Sequence, residues 1–350
     1  MALTCVFFYL NRLRLVIVSK DTPVFSAFLD ASKAFDRTNH NLLFAKLIKR
    51  NVPICIVRLL LSWYRQQTMQ VKWGTNYSSP FTVTNGVRQG GVLNTYLFAV
   101  YLDELSTQLG SARVGCTVGN MVVNHLKFAD DICVFSPSIS GLQCLLNICG
   151  DYAAEHEIIF NCNKTIGVLL CPKKYKQPAP SNDFLNGVCV QFLNQVKYLG
   201  VWINASLKGD DDIQKQVKSL YCAGNKLRGT FDQCTPAVRN TLFRAYCMPI
   251  YACHLWSKYT QTSMKRLRAA YNIAYRIMHY IPRNVSVRPH QVSHCVTTFD
   301  AVLRNNLYLF FIRCTSSPNF FIRSLQMSDA FYKSSFFLNY SSLLYGEKMQ

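Results

Sequence analysis

Acidic residues are scarce in this sequence. Asp and Glu number 18 against 38 Lys and Arg in 350 residues, a net charge of +20. That imbalance favours a polyanionic partner, with nucleic acid the first candidate, although ribosomal, membrane-surface and merely soluble proteins share it. Glycine (16) and proline (12) are too few for a collagen-like or low-complexity chain. The 15 cysteines include no Cys-x-x-Cys pair, and Cys144/Cys149 and Cys247/Cys253 lack zinc-finger spacing. A disulfide scaffold is therefore not expected, and a thiol-reducing compartment fits better. His254, His279, His290, His294 and Cys295 also depart from the usual metal-ligand spacings. An unbroken apolar run of about 20 residues, which a membrane helix needs, is missing. Met1–Val18 is apolar but interrupted by Asn11, Arg12 and Arg14, which suits a buried helix better than a signal peptide. No membrane partner is expected.

Half of the residues are hydrophobic, which rules out intrinsic disorder and allows one large domain or two modest ones. The charge is uneven. Residues 1–150 hold 14 Lys and Arg against 7 Asp and Glu, and residues 151–350 hold 24 against 11. No acidic residue lies between Asp232 and Asp300, where Lys265, Arg266 and Arg268 stand among Tyr246, Tyr251, Trp256, Tyr259, Tyr271, Tyr275 and Tyr280. Arg and Lys interleaved with aromatics can follow a phosphate backbone and stack on bases. A helix pair with a solvated basic face and an aromatic core face has the same pattern.

Val24–Phe28 is a β-branched and aromatic run ending at Leu29-Asp30, the pattern of a buried strand. Helical patterns run from Asn39-His40-Asn41 through Arg50, from Pro53 through Tyr64, from Asn94 through Leu109, and over Leu142–Glu157. Met69–Trp73 and Phe81–Thr84 bracket Gly74-Thr75-Asn76, a hairpin signal. Met121–Lys127 and Ile132–Phe135 predict a second hairpin with Asp130 and Asp131 at its tip. Ile158–Phe160, Gly167–Leu170 and Val196–Ile203 read as strands, and Lys173–Asn182 as a loop. From Asp210 onward the pattern is helical. Mixed elements followed by helices predict an α+β domain over 1–205 and an α region over 206–350.

Seven acidic residues occur in the first 150, and Asp30, Asp130 and Asp131 fall at strand ends beside apolar runs. Carboxylates so placed are costly unless a cation offsets them. Two carboxylates completed by phosphate oxygens and water describe a Mg²⁺ site. The same residues also read as ordinary turn aspartates.

The words FLDASKAFDRTNH (Phe28–His40), NGVRQGGVLNTYLFAVYLDEL (Asn85–Leu105), FADD (Phe128–Asp131), FNCNKTIGVLL (Phe160–Leu170) and VKYLGVWIN (Val196–Asn204) follow one another in this order. Together they closely resemble the successive palm motifs of reverse transcriptases from non-long-terminal-repeat (LINE-type) retrotransposons. The resemblance covers roughly residues 15–205. It implies a polymerase palm, a small antiparallel sheet backed by helices, with partial fingers, then a helical thumb-like region and C-terminal extension. It implies template-directed DNA synthesis with Mg²⁺ (Mn²⁺ possible), an RNA template, a DNA primer and deoxynucleoside triphosphates. Asp30 and Asp130 would bind metal together with the Ala31 carbonyl, with Asp131 adjacent. Phe35 would block a ribose 2′-OH. Gln89, Gly90 and Gly91 would lie beneath the incoming nucleotide, Lys164 would protonate pyrophosphate, and Tyr198-Leu199-Gly200 would hold the primer end. No obligate protein partner is indicated, and a nuclear or cytoplasmic place follows only from the reaction.

Each role suits its residue. A Phe excludes a hydroxyl sterically, Gly90-Gly91 lets backbone approach a ligand, and a Lys ammonium is a proton donor that its surroundings can tune. Phe35 can equally be core, and Lys164 a solvated lysine. Asp36 is expected to cap the following helix, and Asp103-Glu104 to face solvent. Asn94-Thr95 replaces the family's Ser-Pro, and Phe128 its commoner Tyr. Relative to complete family members the chain reads as truncated before the first aspartate motif, with only Arg12, Arg14 and Lys20 to clamp a triphosphate. Primer–template binding with very slow extension, or none, is therefore expected of this chain alone. The alternative reading is a non-catalytic nucleic-acid-binding remnant of a retrotransposon.

Overall fold

β1 (Val24–Leu29) is buried at all six positions, which only a central strand covered on both faces allows. Its one polar side chain, Ser26, donates from Oγ to the Val168 carbonyl at 2.7 Å, so no buried hydroxyl is left unpaired. The computed structural model describes residues 22–319 except 89, 119–120, 172–183, 186 and 257, together with 322–323, 332, 337–338 and 340–341. The helix expected at Met1–Val18 and the loop at Lys173–Asn182 lie outside these residues. Within them the chain divides into one compact unit ending at Asn194 and another beginning at Gln195; the sequence pattern changes about ten residues later.

In the first unit, α1 (His40–Lys49) and α2 (Ile54–Arg65) follow β1. A thin double hairpin comes next: β2 (Thr68–Met69) pairs with β5 (Phe81–Thr82), and β3 (Lys72–Trp73) with β4 (Asn76–Tyr77). Then come α3 (Asn94–Tyr101), α4 (Asp103–Ser111), β6 (Cys116–Val118), β7 (Met121–Val123), β8 (His125–Phe128), β9 (Asp131–Ser136), α5 (Ile139–Glu155), β10 (Ile166–Leu170), β11 (Phe184–Leu185), β12 (Val188–Cys189) and β13 (Gln191–Phe192). The main sheet has the order β13-β10-β1-β9-β8 and is antiparallel except for β10 with β13. Helix α5 packs across β1 and β9. Phe98, Tyr101, Leu142, Leu145, Leu146 and Tyr152 are among the fully buried core, and such side chains contribute about 1.5–3 kcal/mol each. The result is the expected palm: a small, mainly antiparallel sheet backed by helices.

Several local expectations change. The pattern over Asn94–Leu109 is two helices, because Leu102 leaves helical geometry (φ −93°, ψ 1°) and its carbonyl accepts from Lys127 at 2.8 Å. Ile158–Phe160 forms only an isolated bridge, Phe160 with Ala31. Asn39, not Asp36, caps α1, its side chain accepting from the Asn41 and Leu42 amides.

Asp103 and Glu104 are partly exposed, as expected, but both are paired. Glu104 pairs with Lys46 and with Lys49 at 2.8 Å, and Arg50 pairs with Asp103. These pairs lock α4 to α1. The Lys46 ammonium is nearly buried, so the chain needs a countercharge there. Hydrogen bonds from Lys46 and Lys49 hold the Glu104 carboxyl down at about 2, against an ordinary 4.5. A depressed acid contributes stability above its unfolded value and loses it as pH falls through the folded one. The stability gap between wild type and Glu104→Gln should therefore be full at pH 6 and shrink between about pH 4.5 and 2. Urea midpoints across that range measure it.

In the second unit, the hairpin of β14 (Gln195–Tyr198) and β15 (Val201–Asn204) precedes α6 (Asp210–Thr230), α7 (Pro236–Tyr246), α8 (Gln261–His279), α9 (Val287–Ser293) and α10 (Phe299–Thr315). The single strand expected at Val196–Ile203 is a hairpin because Leu199 (φ 47°) and Gly200 (φ 78°) turn the chain back. Helix α6 lies along α8, and Leu267, Tyr271, Tyr275 and Met278 of α8 form the core. Among the described residues no helix is long and apolar enough to cross a membrane.

Candidate active site

Strand register brings the carboxylates together. Phe28 pairs with Cys133 and Leu29 with Ile132, so the next step of the ladder sets Asp30 beside Asp131. On the other side Phe28 pairs with Ile166, and the same continuation sets Asp30 opposite Lys164. The β8–β9 ladder ends at Phe128 with Asp131, leaving Ala129 and Asp130 as the turn. Ala129 takes a left-handed conformation (φ 53°) to make that turn. Asp130 is thus at the tip, whereas Asp131 opens β9. The three charges sense one another: burial first, then Asp130 and Asp30, push the Asp131 carboxyl upward.

The Lys164 ammonium stands 3.8 Å from Asp30 Oδ2, both side chains being well exposed. The Ala31–Phe160 bridge is flanked by bonds from the Asn161 amide to the Asp30 carbonyl (2.7 Å) and from the Ser32 amide to the Ile159 carbonyl (2.8 Å). In such a pair the Ala31 carbonyl points away from Phe160, toward the side where the Asp130 turn lies. Among the described residues no group of three or more His, Cys, Asp or Glu is set to hold a metal.

Phe35 stacks on Phe98 (centroids 4.4 Å, 28° between planes), half-buried against the core. Its carbonyl accepts from the Val87 amide at 2.7 Å, and the Thr38 carbonyl from the Gly86 amide at 2.8 Å. These bonds join the segment after Asp30 to the Asn85–Gly91 segment. Gly90 has φ 87°, with open space where a side chain would point. A side chain at Gly91 would collide with Asn94. Asn94 does not cap α3, since Leu93 occupies that place; it donates to the Arg88 carbonyl and accepts from the Tyr64 hydroxyl at 2.9 Å. The family's Ser-Pro position thus carries a loop anchor here. Gln89 lies outside the described residues.

Sequence reasoning missed Lys127. Its ammonium ties the strand that leads into the Asp130 turn to the α3–α4 junction, donating to Leu102. Burial lowers its pKa to about 8 from 10.5, with Asp103 opposing and Arg50 adding to the shift. Between those values the unfolded chain keeps a proton that the folded one has lost, so stability should rise with pH across that window. Lys127→Met should flatten this rise, as thermal melts from pH 7 to 10.5 can show.

The other expected residues fall in the second unit. Tyr198 is buried, and the Leu199-Gly200 turn is pinned by the Tyr251 hydroxyl (to the Leu199 carbonyl, 3.0 Å) and by Lys215 (to the Gly200 carbonyl). Lys265 and Arg266 are exposed, but Arg268 is tied to Asp300 at 2.7 Å. Tyr271, Tyr275 and Trp256 are core, so the stacking reading does not extend to them. Tyr246, Tyr251 and Tyr280 are exposed.

Comparison with known proteins places the chain in a family. The family model for reverse transcriptase (RNA-dependent DNA polymerase) matches residues 14–203. The Pol polyprotein of the type-2 retrotransposable element R2DM of Drosophila melanogaster is 29% identical over 184 residues, 51% of this chain and 17% of that protein. The probable RNA-directed DNA polymerase of the Drosophila melanogaster X-element is 26% identical over 295 residues, 80% of this chain and 31% of that protein. The polymerase of the Drosophila melanogaster mobile element jockey is 29% identical over 187 residues, 52% and 20%. The chain thus spans less than a third of each. A solved structure of Candida tropicalis telomerase with a fragment of telomeric RNA aligns at TM-score 0.46 and 13% identity, over 98% of this chain and 50% of that one. The matched residues include the strand ends that carry Asp30, Asp130 and Lys164, and the chain belongs to the reverse transcriptase family.

Proposed function

We propose that this chain adds deoxynucleotides to a primer 3′ end on an RNA template. The observation that supports this most is the meeting of Asp30, Asp130 and Asp131 at one sheet end, with Lys164 beside Asp30. Three carboxylates at one sheet end, with Asp131 pushed upward by burial and by the other two, make a local negative site suited to a divalent cation on a chain of net charge +20. Asp30, Asp130 and the Ala31 carbonyl would hold Mg²⁺, or Mn²⁺ in its place. When bound, the ion offsets phosphate charge and makes the primer hydroxyl a better nucleophile.

The chain's own groups do the rest. The primer 3′ hydroxyl loses its proton to solvent and its oxygen bonds to the α-phosphorus as the bond to pyrophosphate breaks. Lys164 supplies a proton to the departing pyrophosphate. Phe35, stacked on Phe98, would exclude a ribose 2′-OH sterically. Gln89, Gly90 and Gly91 bring backbone close to the nucleotide, and Tyr198-Leu199-Gly200 holds the primer end. Lys265 and Arg266 contact the duplex backbone. Primer extension on an RNA template, with Mg²⁺ and with chelator, tests the reading. Extension with Mg²⁺ that stops with chelator is expected, and its absence under both conditions overturns the reading. Primer–template binding without extension would favour the non-catalytic alternative, for which the acid-free stretch between Asp232 and Asp300 also speaks.

A further inference from the structure

A second stretch of the chain also lacks acidic residues. None occurs between Asp36 and Asp103, an interval with eight Lys and Arg. Lys46, Lys49 and Arg50 are engaged by Glu104 and Asp103. Among the described residues Arg37, Arg58, Arg65, Lys72 and Arg88 make no ion pair. The same interval carries the thin double hairpin, and its aromatics face water: Trp73 is 84% exposed, Tyr77 61% and Phe81 48%. A tryptophan left this bare keeps a large π surface out of the core that would normally hold it. The Lys72 ammonium sits over the Tyr77 ring at 5.4 Å. At the base of the hairpin an open cleft of about 830 Å³ runs between Met69 and Phe81 on one side and Asn85–Arg88 on the other. Gln67 lines it, and its Oε1 is buried without a partner. The cleft is wide enough for a nucleobase, with apolar walls for its faces and an amide for its edge.

We propose that the 68–88 segment is a binding surface for unpaired nucleic acid, with bases stacking on Trp73 and Tyr77 and entering the cleft beside Phe81. Lys72 on the hairpin and Arg88 in the cleft lining, which also includes Asp36, attract the phosphates, and exposed aromatics accept any base by its face. A polypeptide partner would gain little from so narrow an apolar strip flanked by Lys72 and Arg88. The inference concerns binding and stands apart from the polymerase reading.

Affinities of the full chain for three probes test it: a blunt RNA–DNA duplex, the same duplex with about ten unpaired RNA nucleotides, and those nucleotides alone. The unpaired extension should tighten binding by the wild type. Trp73→Ala with Tyr77→Ala should lose about tenfold of that gain and bind the blunt duplex as before, while Trp73→Phe keeps the gain. Lys72→Gln should lower the salt slope by about 1. The proposal is overturned if the wild type gains nothing from the extension, or if the alanine pair retains the full gain. It is also overturned if the alanine pair dissociates a wild-type oligomer and leaves RNA binding unchanged, since the face would then be a protein interface. Because Asp130→Asn leaves this surface intact, overhang binding without extension separates this outcome from failure of the polymerase reading.

Discussion

Asp130→Asn should reduce primer extension by a factor of about 10³ or more, while the folded protein becomes slightly more stable. Both effects have the same origin. Asp130 occupies a two-residue turn and is partly exposed, so an isosteric amide leaves the β8–β9 ladder in place. Its charge is one of those that push the Asp131 carboxyl upward, together with burial and Asp30. Removing that charge relieves repulsion in the metal-free protein. An amide is also a poorer ligand for a hard cation and leaves phosphate charge unopposed. Extension assays and thermal melts of the same preparation test the pair of outcomes. Wild-type extension by the variant would remove Asp130 from the reaction. A melting temperature several degrees below wild type would show instead that Asp130 holds the turn.

How far the sequence foretold this site depended on the kind of signal. Asp30, Asp130 and Asp131 could be singled out because they end or interrupt dense apolar runs, the choice of Asp30 and Asp130 among them coming from the resemblance, and burial of those runs fixes the register that sets Asp30 beside Asp131. The hairpin around Gly74 and the bounds of α1 and α2 were legible from turn residues and apolar spacing. The Asp103-Glu104 pair was not, because a helix pattern does not say which neighbour its polar face meets; here Lys46 and Arg50 meet it. Lys127 was missed for the same reason, since its partner is a carbonyl at a helix break that no periodicity marks. The turn at Leu199-Gly200 came only from the resemblance and not from the apolar pattern, because the reversal rests on two positive φ values, one of them at a leucine. Asn94, which stands where the family has Ser, holds the Arg88 carbonyl, a role that residue type alone does not show.

Gly86 is the residue whose replacement should damage the fold of the site most, although nothing in its sequence context set it apart from Gly90 and Gly91. It has φ 93°, and a Cβ there would lie 2.8 Å from the Asp36 carbonyl oxygen and 2.9 Å from the Asp36 Cα. Those atoms are backbone and cannot swing aside. The same few residues are joined by the Gly86 amide to Thr38, the Val87 amide to Phe35, and the His40 ring to the Gly86 carbonyl at 2.8 Å. Gly86→Ala must therefore either break these bonds or move the chain that carries Phe35. The expected cost is about 3 kcal/mol or more, combining left-handed strain with a backbone clash. Gly74→Ala provides the contrast. Gly74 also has positive φ (62°), but nothing lies within 4 Å of its Cβ position, so strain alone should cost about 1 kcal/mol. Urea denaturation of the two variants separates the terms. If the reaction is as proposed, Gly86→Ala should also lower kcat/KM for nucleotide addition more than it weakens duplex binding, because it displaces Phe35 and leaves the second unit untouched. Equal losses of stability in the two variants would show that the 35–38 segment yields easily, and that the Gly86 contact does not fix the position of Phe35.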